Sequence, residues 1–505
     1  MVFSLLKRTA TAVFCSVLAV TQFSAPALAA GAPTTGELHL PSLGTVAGAD
    51  LSILEERQLG EELMQRVRAD KSFMNDEETT DYLNRLGYRL IAAGSAPAYD
   101  FFFFPIRDKS LNAFALPGGF IAVHSGLVVA ARTESELAGV MGHEIGHVTQ
   151  RHIARMLEQG KSSLAMTLGS LLLALLAARA GGSSGGDAAM AITMGTQATL
   201  IQNQLGYSRD AEREADRVGL NSLSRAGFDP KGMEDFFGRL QQNNRFYETA
   251  SNAYLSTHPL TTERISDMQN RTRTMQGVNV ASSLDFLLIQ ARLRVLQETR
   301  YDGWLKVAEH FDNDRKTVQG AKAVAVAYGQ SVAMQRMNQP EKALAYAREA
   351  VALAKSPNVL LDKNLSQAIF SCAKTPTQKN EALKVAQQTA SRWPYSRLAA
   401  SNYTELLYQA ARHADVVKYL RTQKALTRYD PDYHAYLARS YEALGQKTLA
   451  YASTGDMYAL MDNSKAAVYQ YELAQRAADA DFYVMSEVDA KLREQRRKVL
   501  DEQKK

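Results

Sequence analysis

A five-residue motif, His143-Glu144-Ile145-Gly146-His147, constrains the fold of this chain more than any other feature. Residues four apart lie on one face of an α-helix, so both imidazoles can bind one zinc ion, and Glu144 can point toward a water on that ion. Zinc lowers the pKa of such a water to about 7, and a glutamate can take its proton. The chain must therefore form a helix here with one face directed at a metal.

The surrounding sequence supports that helix. Thr133-Glu134-Ser135-Glu136 matches a capping box and predicts a helix that continues through both histidines to about Leu157. With nine histidines in 505 residues, this motif arises by chance in roughly 1% of such chains. Gly142 and Gly146 lower helix propensity but allow close backbone packing. We therefore predict a zinc site.

A catalytic zinc needs a third protein ligand and an open coordination position. His152 is only five residues past His147, so the H-x-x-G-x-x-H continuation is absent, and the better candidate is the EREAD sequence that begins at Glu212. In a helix, Glu212 and Asp216 share a face, so Glu212 can bind the metal while Asp216 orients a liganding histidine. Glu214 points away from both. The alternative for both carboxylates is a solvated helix face.

Six other histidines have no ligand spacing, and we interpret them as structural or exposed: His39, His124, His152, His310, His413 and His434.

The first 29 residues have the pattern of a cleaved secretory signal peptide. Lys7-Arg8 precedes an apolar stretch from about Ala10 to Val20, and Ala27-Leu28-Ala29 supplies small residues for cleavage. The apolar stretch is shorter than the ~20 residues that a membrane-spanning helix needs. We expect cleavage near Ala29 and export, with a linker over residues 30–49.

Composition excludes several classes of protein. The chain is 46% hydrophobic, which excludes global disorder, and its 505 residues predict two or more domains. Its formal charge of +5 falls to +3 when the signal peptide removes two basic residues, and no basic run concentrates it, so we expect no nucleic-acid partner. Cleavage also removes Cys15 and leaves only Cys372, which excludes an internal disulfide.

The part of the chain around the motif mixes helices with short strands. We predict a long helix capped by Asp50, a second helix near Thr79–Ala93, and two or three strands with a tight turn, at 99–105, 113–116 and 120–123.

Two apolar arms, Leu164–Ala178 and Ala188–Ile201, flank a glycine-rich hinge. They indicate either a mobile lid or helical pair on a hydrophobic surface, or an ordinary buried hairpin. The segment from Leu164 to Ile201 is the only candidate for contact with a membrane.

From about Ser282 onward the pattern is entirely helical. Glu341–Ala350 resembles the second helix of a tetratricopeptide repeat, and Leu437–Ala450 fits a whole repeat. Lys465–Ala477 resembles another second helix. Its Ala467 follows Ala450 too closely for a period of about 34 residues, so the repeat register of one of these two segments is wrong. Such repeats form a groove that binds peptides or proteins. The alternative is a helical domain that only packs on the first.

Four motifs in order make a family resemblance specific. The two motifs above are followed by Ser256-Thr257-His258-Pro259 and Arg264, and they are preceded by the segment from Asn112 to Gly119. Together, from about Leu51 to Arg273, they resemble the gluzincin family that includes HtpX-type and CAAX prenyl endopeptidases. The long apolar helices of its membrane-spanning members are missing.

The resemblance implies a mainly α fold. It consists of an α+β zinc metallopeptidase domain with a small β-sheet over residues 50–278, followed by an all-α, tetratricopeptide-like domain over residues 279–505.

The resemblance also implies residue roles at one zinc ion. His143, His147 and Glu212 would bind the metal, and Glu144 would be the general base. In periplasmic members, a histidine at the position of His258 can take the fourth zinc position and hold the enzyme latent. An imidazole there would displace the nucleophile, so activation would require this loop to move. The alternative is a loop histidine outside the coordination sphere.

The resemblance extends to two further residues. Arg264 matches a family arginine near the active site, where a cation can stabilise an oxyanion, or it forms a structural ion pair. Asn112 and the following segment match the family's edge strand, which would bind substrate as an added strand.

We therefore predict a periplasmic zinc endopeptidase whose repeats select protein clients. By resemblance to periplasmic, repeat-bearing members, the clients are misassembled outer-membrane β-barrel proteins and their assembly machinery, and the activity includes a chaperone-like function. Two alternatives remain: a chaperone or assembly adaptor with a mostly latent zinc site, and a peripheral membrane-associated protease.

Overall fold

The computed structural model describes residues 52–94, 99–159, 209–246, 253–275, 277, 280–477 and 479–502. The predicted signal peptide, the linker up to residue 49 and the apolar arms over 164–201 lie outside these residues. Within the described ranges, no helix combines the length and apolar character needed to cross a bilayer.

The N-terminal half contains a small sheet and the helices that surround it. Its elements are α1 (Ile53–Ala69), α2 (Glu77–Ala93), β1 (Phe102–Ile106), β2 (Ala113–Leu116), a 3₁₀ turn (Pro117–Gly119), β3 (Phe120–His124), α3 (Ser125–Ala130), α4 (Glu134–Thr149), α5 (His152–Gln159), α6 (Arg209–Arg225), α7 (Lys231–Phe246), α8 (Ala253–Thr257) and α9 (Thr262–Thr274).

The three predicted strands are confirmed, and they form one sheet in the order β1-β3-β2. β1 is parallel to β3, and β2 is antiparallel to β3, with Ala113 opposite Val123. The turn between β2 and β3 requires glycine: Gly118 has a φ of 74°, and a Cβ there would lie 2.8 Å from the Glu56 carbonyl oxygen. This order leaves β2 at an edge of the sheet.

Two predicted helix boundaries are wrong. α1 begins at Ile53, because Ser52 forms a reciprocal capping box with Glu55 in place of the cap predicted at Asp50. The helix of the histidine motif ends at Thr149 rather than near Leu157, and α5 starts at His152. The break is at Arg151, whose φ of 55° lies in the left-handed region and stops a right-handed helix.

α4 and α6 cross at very short range. A Cβ on Gly146 would lie 2.9 Å from the Ala215 carbonyl oxygen, and a Cβ on Gly219 would lie 2.7 Å from the His143 backbone nitrogen. Real Cβ atoms are not tolerated at such distances from backbone, so the small residues permit the crossing. The close packing predicted for Gly142 and Gly146 is present, and it brings the EREAD segment against the histidine motif.

The C-terminal half consists of six successive helix pairs and one short helix. They are α10 (Leu284–Leu296) with α11 (Tyr301–Asp314), α12 (Ala321–Arg336) with α13 (Pro340–Leu353), α14 (Val359–Cys372) with α15 (Pro376–Arg392), α16 (Arg397–Gln409) with α17 (His413–Thr422), the short α18 (Lys424–Thr427), α19 (Pro431–Ala443) with α20 (Lys447–Leu460), and α21 (Ser464–Ala477) with α22 (Phe482–Glu502).

The repeat pattern is largely as predicted. Ala343 and Ala350 of α13 are completely buried, as expected for small residues between packed helices. Lys465–Ala477 is helical, but α21 follows α20 directly and α22 follows it. If α19 and α20 form one repeat, α21 is the first helix of the next repeat, and the interpretation of it as a second helix is wrong.

A single apolar core extends from the sheet into the first repeats. It includes Phe103 of β1 and Leu137 of α4, and it continues through Phe286 of α10 to Leu360 of α14. This core continues across the predicted domain boundary at residue 279, so the position of the boundary stays a prediction.

A buried acidic turn at the start of α2 also connects the N-terminal half with the repeats. Asp76 caps α2 and contacts Arg292 of α10 through both carboxylate oxygens, at 2.6–3.0 Å. The Lys363 ammonium of α14 lies 2.9 Å from Glu77 and 3.3 Å from Glu78. Burial opposes ionisation of Asp76, but Arg292, Thr79 and Lys363 overcome it and lower the pKa of Asp76 to about 2.

We expect Gly219→Ala to destabilise the protein, because the new methyl group would push α4 and α6 apart; overpacking of this kind costs about 1–3 kcal/mol. Gly238→Ala in α7 is the matched control, since its Cβ would meet no atom within 4 Å and alanine favours a helix. Urea unfolding of both variants measures the effect. Equal stability of the two variants would contradict the close crossing.

Asp76→Ala should lower the free energy of unfolding by about 3 kcal/mol, because it removes the shortest contacts of the buried Arg292 guanidinium and leaves Glu78, at 3.1 Å, to compensate the charge. The matched control is Asp302→Ala, which removes an exposed ion pair with Arg300 and should leave the stability almost unchanged. Because the folded pKa is about 2 and the ordinary value is 3.8, the contribution of Asp76 is present above pH 4 and is lost as the pH falls toward 2. If Asp76→Ala unfolds in acid at the same pH as the wild type, this prediction is refuted.

Candidate metal centre

Four side chains bring one ligand atom each to a common point. His143 and His147 come from α4, Glu212 from α6, and His258 directly follows α8; all four are buried, and their ligand atoms lie within 4.8 Å of one another. The His143 and His147 Nε2 atoms are 3.0 Å apart. His258 Nδ1 lies 3.0 Å from Glu212 Oε1 and 3.3 Å from His143 Nε2.

These distances fit a tetrahedral zinc ion. Ligand bonds of about 2.0–2.1 Å place the corners of a tetrahedron about 3.3 Å apart. Glu212 oxygens lie 3.4 Å from His143 Nε2 and 3.5 Å from His147 Nε2, which matches that spacing. Although burial opposes ionisation, His258, His143 and His147 lower the pKa of Glu212 well below its usual value. Three imidazoles and one ionised carboxylate form a donor set that zinc prefers.

Asp216 lies on the side of His143 that faces away from the other ligands. Its Oδ1 is 2.8 Å from His143 Nδ1, and both of its oxygens accept hydrogen bonds from Arg264 at 2.7 and 2.8 Å. Burial lowers the pKa of His143, but Asp216 and Glu212 outweigh it and raise that pKa to about 9. The geometry is the one predicted for a carboxylate that orients a liganding histidine.

The Arg264 guanidinium is fully engaged with the protein. Besides Asp216, its Nη1 lies 2.7 Å from Glu212 Oε2 and donates a hydrogen bond to the Pro259 carbonyl. The side chain is almost completely buried. Of the two predicted alternatives, these contacts correspond to the structural ion pair, and the oxyanion role would require the ion pairs to break.

Glu144 is buried beside the four ligands. Its Oε1 is 3.4 Å from His258 Nε2, and neither carboxylate oxygen has a hydrogen bond of normal geometry among the described residues. Burial raises the pKa of Glu144, although His258, His143 and the Ala115 amide act against that shift. A buried carboxylate with a raised pKa suits a group that accepts a proton and then donates it.

The edge strand passes this carboxylate. Ala115, whose amide influences Glu144, lies in the middle of β2, and β2 pairs only with β3 among the described strands. Asn112 precedes β2; it is buried, its carbonyl accepts a hydrogen bond from His124, and its Oδ1 has no hydrogen-bond partner in the described part of the chain. The role of Asn112 in substrate binding stays a prediction.

Sequence reasoning missed the contacts that two residues make near the centre. His152 was interpreted as structural or exposed; it is buried, and its Nδ1 lies 2.9 Å from His147 Nδ1. In an unbroken helix, residues five apart differ by about 140° around the axis, so the spacing gave no signal. Tyr254 was also missed: its ring stacks on His258 with centroids 4.6 Å apart.

The other described histidines lie outside the donor group: His124, His310, His413 and His434.

Comparison with known proteins agrees with this geometry. The profile of Peptidase family M48 matches residues 77–272. A relative from Vibrio cholerae serotype O1, named as a beta-barrel assembly-enhancing protease, is 32% identical over 473 residues, which are 92% of this chain and 93% of that protein. The beta-barrel assembly-enhancing protease of Escherichia coli K12 is 39% identical over 294 residues, 57% of each chain. The mitochondrial metalloendopeptidase OMA1 of Schizosaccharomyces pombe is 30% identical over 223 residues, covering 44% of this chain and 62% of that protein.

The identity along almost the whole length, the matched profile and the buried donor group have one common explanation. The chain belongs to peptidase family M48, whose members are zinc metallopeptidases, and it is similar from end to end to a beta-barrel assembly-enhancing protease.

Proposed function

We propose that this zinc metalloendopeptidase acts in the periplasm on outer-membrane β-barrel proteins, degrading misassembled clients and assisting the assembly of others. The convergence of His143, His147, Glu212 and His258 beside the buried Glu144 carries the catalytic part of the proposal. The names of its relatives and the predicted signal peptide support the client class and the compartment.

The protein's residues divide the work of hydrolysis. His143, His147 and Glu212 would hold a zinc ion, which when bound would supply a Lewis acid for the peptide carbonyl and for the attacking water. Asp216 orients His143. The edge of β2 that pairs with no strand in the described part of the chain binds an extended substrate as an added strand and brings its backbone beside Glu144. Glu144 takes a proton from the attacking water and delivers it to the leaving amine.

His258 keeps the enzyme latent in the described conformation. A catalytic zinc site has three protein ligands and one open position, whereas here four protein donors converge. The Tyr254 ring stacked on His258 and the hydrogen bond from the Tyr254 amide to the Leu111 carbonyl hold this segment in place. Displacement of the segment from Tyr254 to His258 would open the site.

The successive helix pairs of the C-terminal half favour a second function, because stacked pairs of this kind form grooves that bind proteins. If the protein acts chiefly as a chaperone or assembly adaptor, a protease-dead variant should still support barrel assembly in cells, whereas deletion of residues 431–505, which lie outside the core shared with the metal centre, should not. The opposite pattern would support proteolysis as the main activity. A peripheral membrane-associated protease would instead co-float with liposomes.

Glu144→Gln should lower peptide hydrolysis by at least about 10²-fold, because the amide cannot accept the proton, while one zinc per chain is retained. The matched control is Glu309→Gln at an exposed position of α11, which should leave activity unchanged. Casein cleavage and metal analysis of the purified proteins measure both effects. Undiminished cleavage by Glu144→Gln would refute the assigned base.

His258→Ala should raise basal proteolysis or self-cleavage several-fold, because removal of the fourth donor opens a coordination position. His310→Ala, which alters a half-exposed histidine in the repeats, is the control and should behave as wild type. The measurement is the rate of casein cleavage and of autolysis for each variant. An unchanged or lower rate in His258→Ala, with zinc retained, would argue against the latent state.

A further inference from the structure

We propose that His152 is a positioning residue for zinc: it accepts a hydrogen bond from the outer nitrogen of His147 and is itself anchored by Glu214. The proposal rests on the zinc ligands assigned above. His147 Nε2 faces the other donors, so Nδ1 points away from them, and His152 Nδ1 lies 2.9 Å from it.

One set of proton positions satisfies the hydrogen bonds that link His147 to His152 and His152 to Glu214. A neutral imidazole that binds metal through Nε2 carries its proton on Nδ1, so His147 must donate and His152 Nδ1 must accept. His152 then carries its own proton on Nε2, which lies 3.1 Å from Glu214 Oε2. That carboxylate oxygen also accepts a hydrogen bond from Arg155 Nη1 at 3.1 Å. This series of hydrogen bonds therefore extends from the metal site to a partly exposed ion pair.

The break between α4 and α5 makes this contact possible. Arg151 adopts a φ of 55° and turns the chain back, so that His152 faces His147 instead of pointing about 140° away. The turn is secured by a distant residue: the Arg151 guanidinium donates to Glu56 Oε1 of α1 at 2.8 and 3.1 Å. A left-handed arginine costs conformational energy, so these contacts indicate a turn that is specifically maintained.

The two α4 ligands are thus held by different means. His143 has the Asp216 carboxylate at 2.8 Å from its Nδ1, whereas His147 has a second imidazole at the equivalent place. Without His152, the His147 Nδ1–H group would lose this acceptor, which lies 2.9 Å away. Loss of such an outer partner typically weakens metal affinity by 10- to 100-fold.

Leucine and asparagine have nearly the same shape, and only asparagine can accept a hydrogen bond where His152 Nδ1 stands. We therefore expect His152→Leu to raise the zinc Kd by about 10- to 100-fold and His152→Asn to raise it by less than about 3-fold. The measurement is competition for zinc between the purified full chain and a chromophoric chelator. Thermal unfolding of each metal-free protein shows that both variants fold.

Each outcome decides the proposal. His152→Leu that binds zinc within about 3-fold of wild type overturns it, as does an equal loss in His152→Asn when both variants fold. If His152→Leu does not fold, Glu214→Ala decides in its place. A loss of zinc affinity of 3-fold or more supports the anchoring of His152 by Glu214, and unchanged zinc affinity overturns the proposal. His147→Ala separates this test from the ligand assignment, because unchanged zinc binding in that variant would refute the ligand set and not His152 alone.

Discussion

The close crossing of α4 and α6 is the contact on which the metal centre depends. Ligands from two helices can share one ion only if the helix backbones approach within the reach of a histidine and a glutamate. Gly146 and Gly219 provide that approach, since a methyl group at either position would overlap with backbone atoms of the partner helix. The same crossing places Asp216, one turn after Glu212, against the outer nitrogen of His143.

Electrostatics then determine which buried groups are charged. Glu212 and Asp216 are buried carboxylates that remain ionised because histidines and Arg264 surround them. At Glu144 burial outweighs the opposing effects of His258 and His143, and it raises the pKa. Carboxylates within one site thus acquire different roles from their surroundings: two hold and orient ligands, and the third is suited to exchange a proton.

The repeats are joined to the metallopeptidase part by packing as well as by charge. A continuous core crosses the junction, and the acidic turn at Asp76 is neutralised by Arg292 and Lys363 from two different repeat helices. Removal of one partner of such a buried ion pair is costly, because the opposite charge loses its compensation in the interior. The orientation of the first repeats relative to the protease therefore has few alternatives.

The sequence by itself determined what depends on local spacing. Four-residue separations place His143 with His147, and Glu212 with Asp216, on helix faces, and short apolar runs around a glycine turn indicate the strands; the structure contains all of these. Only the tertiary structure decided contacts between distant residues. Asp76 meets Arg292 across 216 positions, Arg264 meets Asp216, and Glu56 secures the turn at Arg151 from 95 residues away. That turn brings His152 against His147, because a single left-handed residue redirects the side chains that follow it. The helical period of a sequence does not show where such a residue occurs, so this contact could not be predicted.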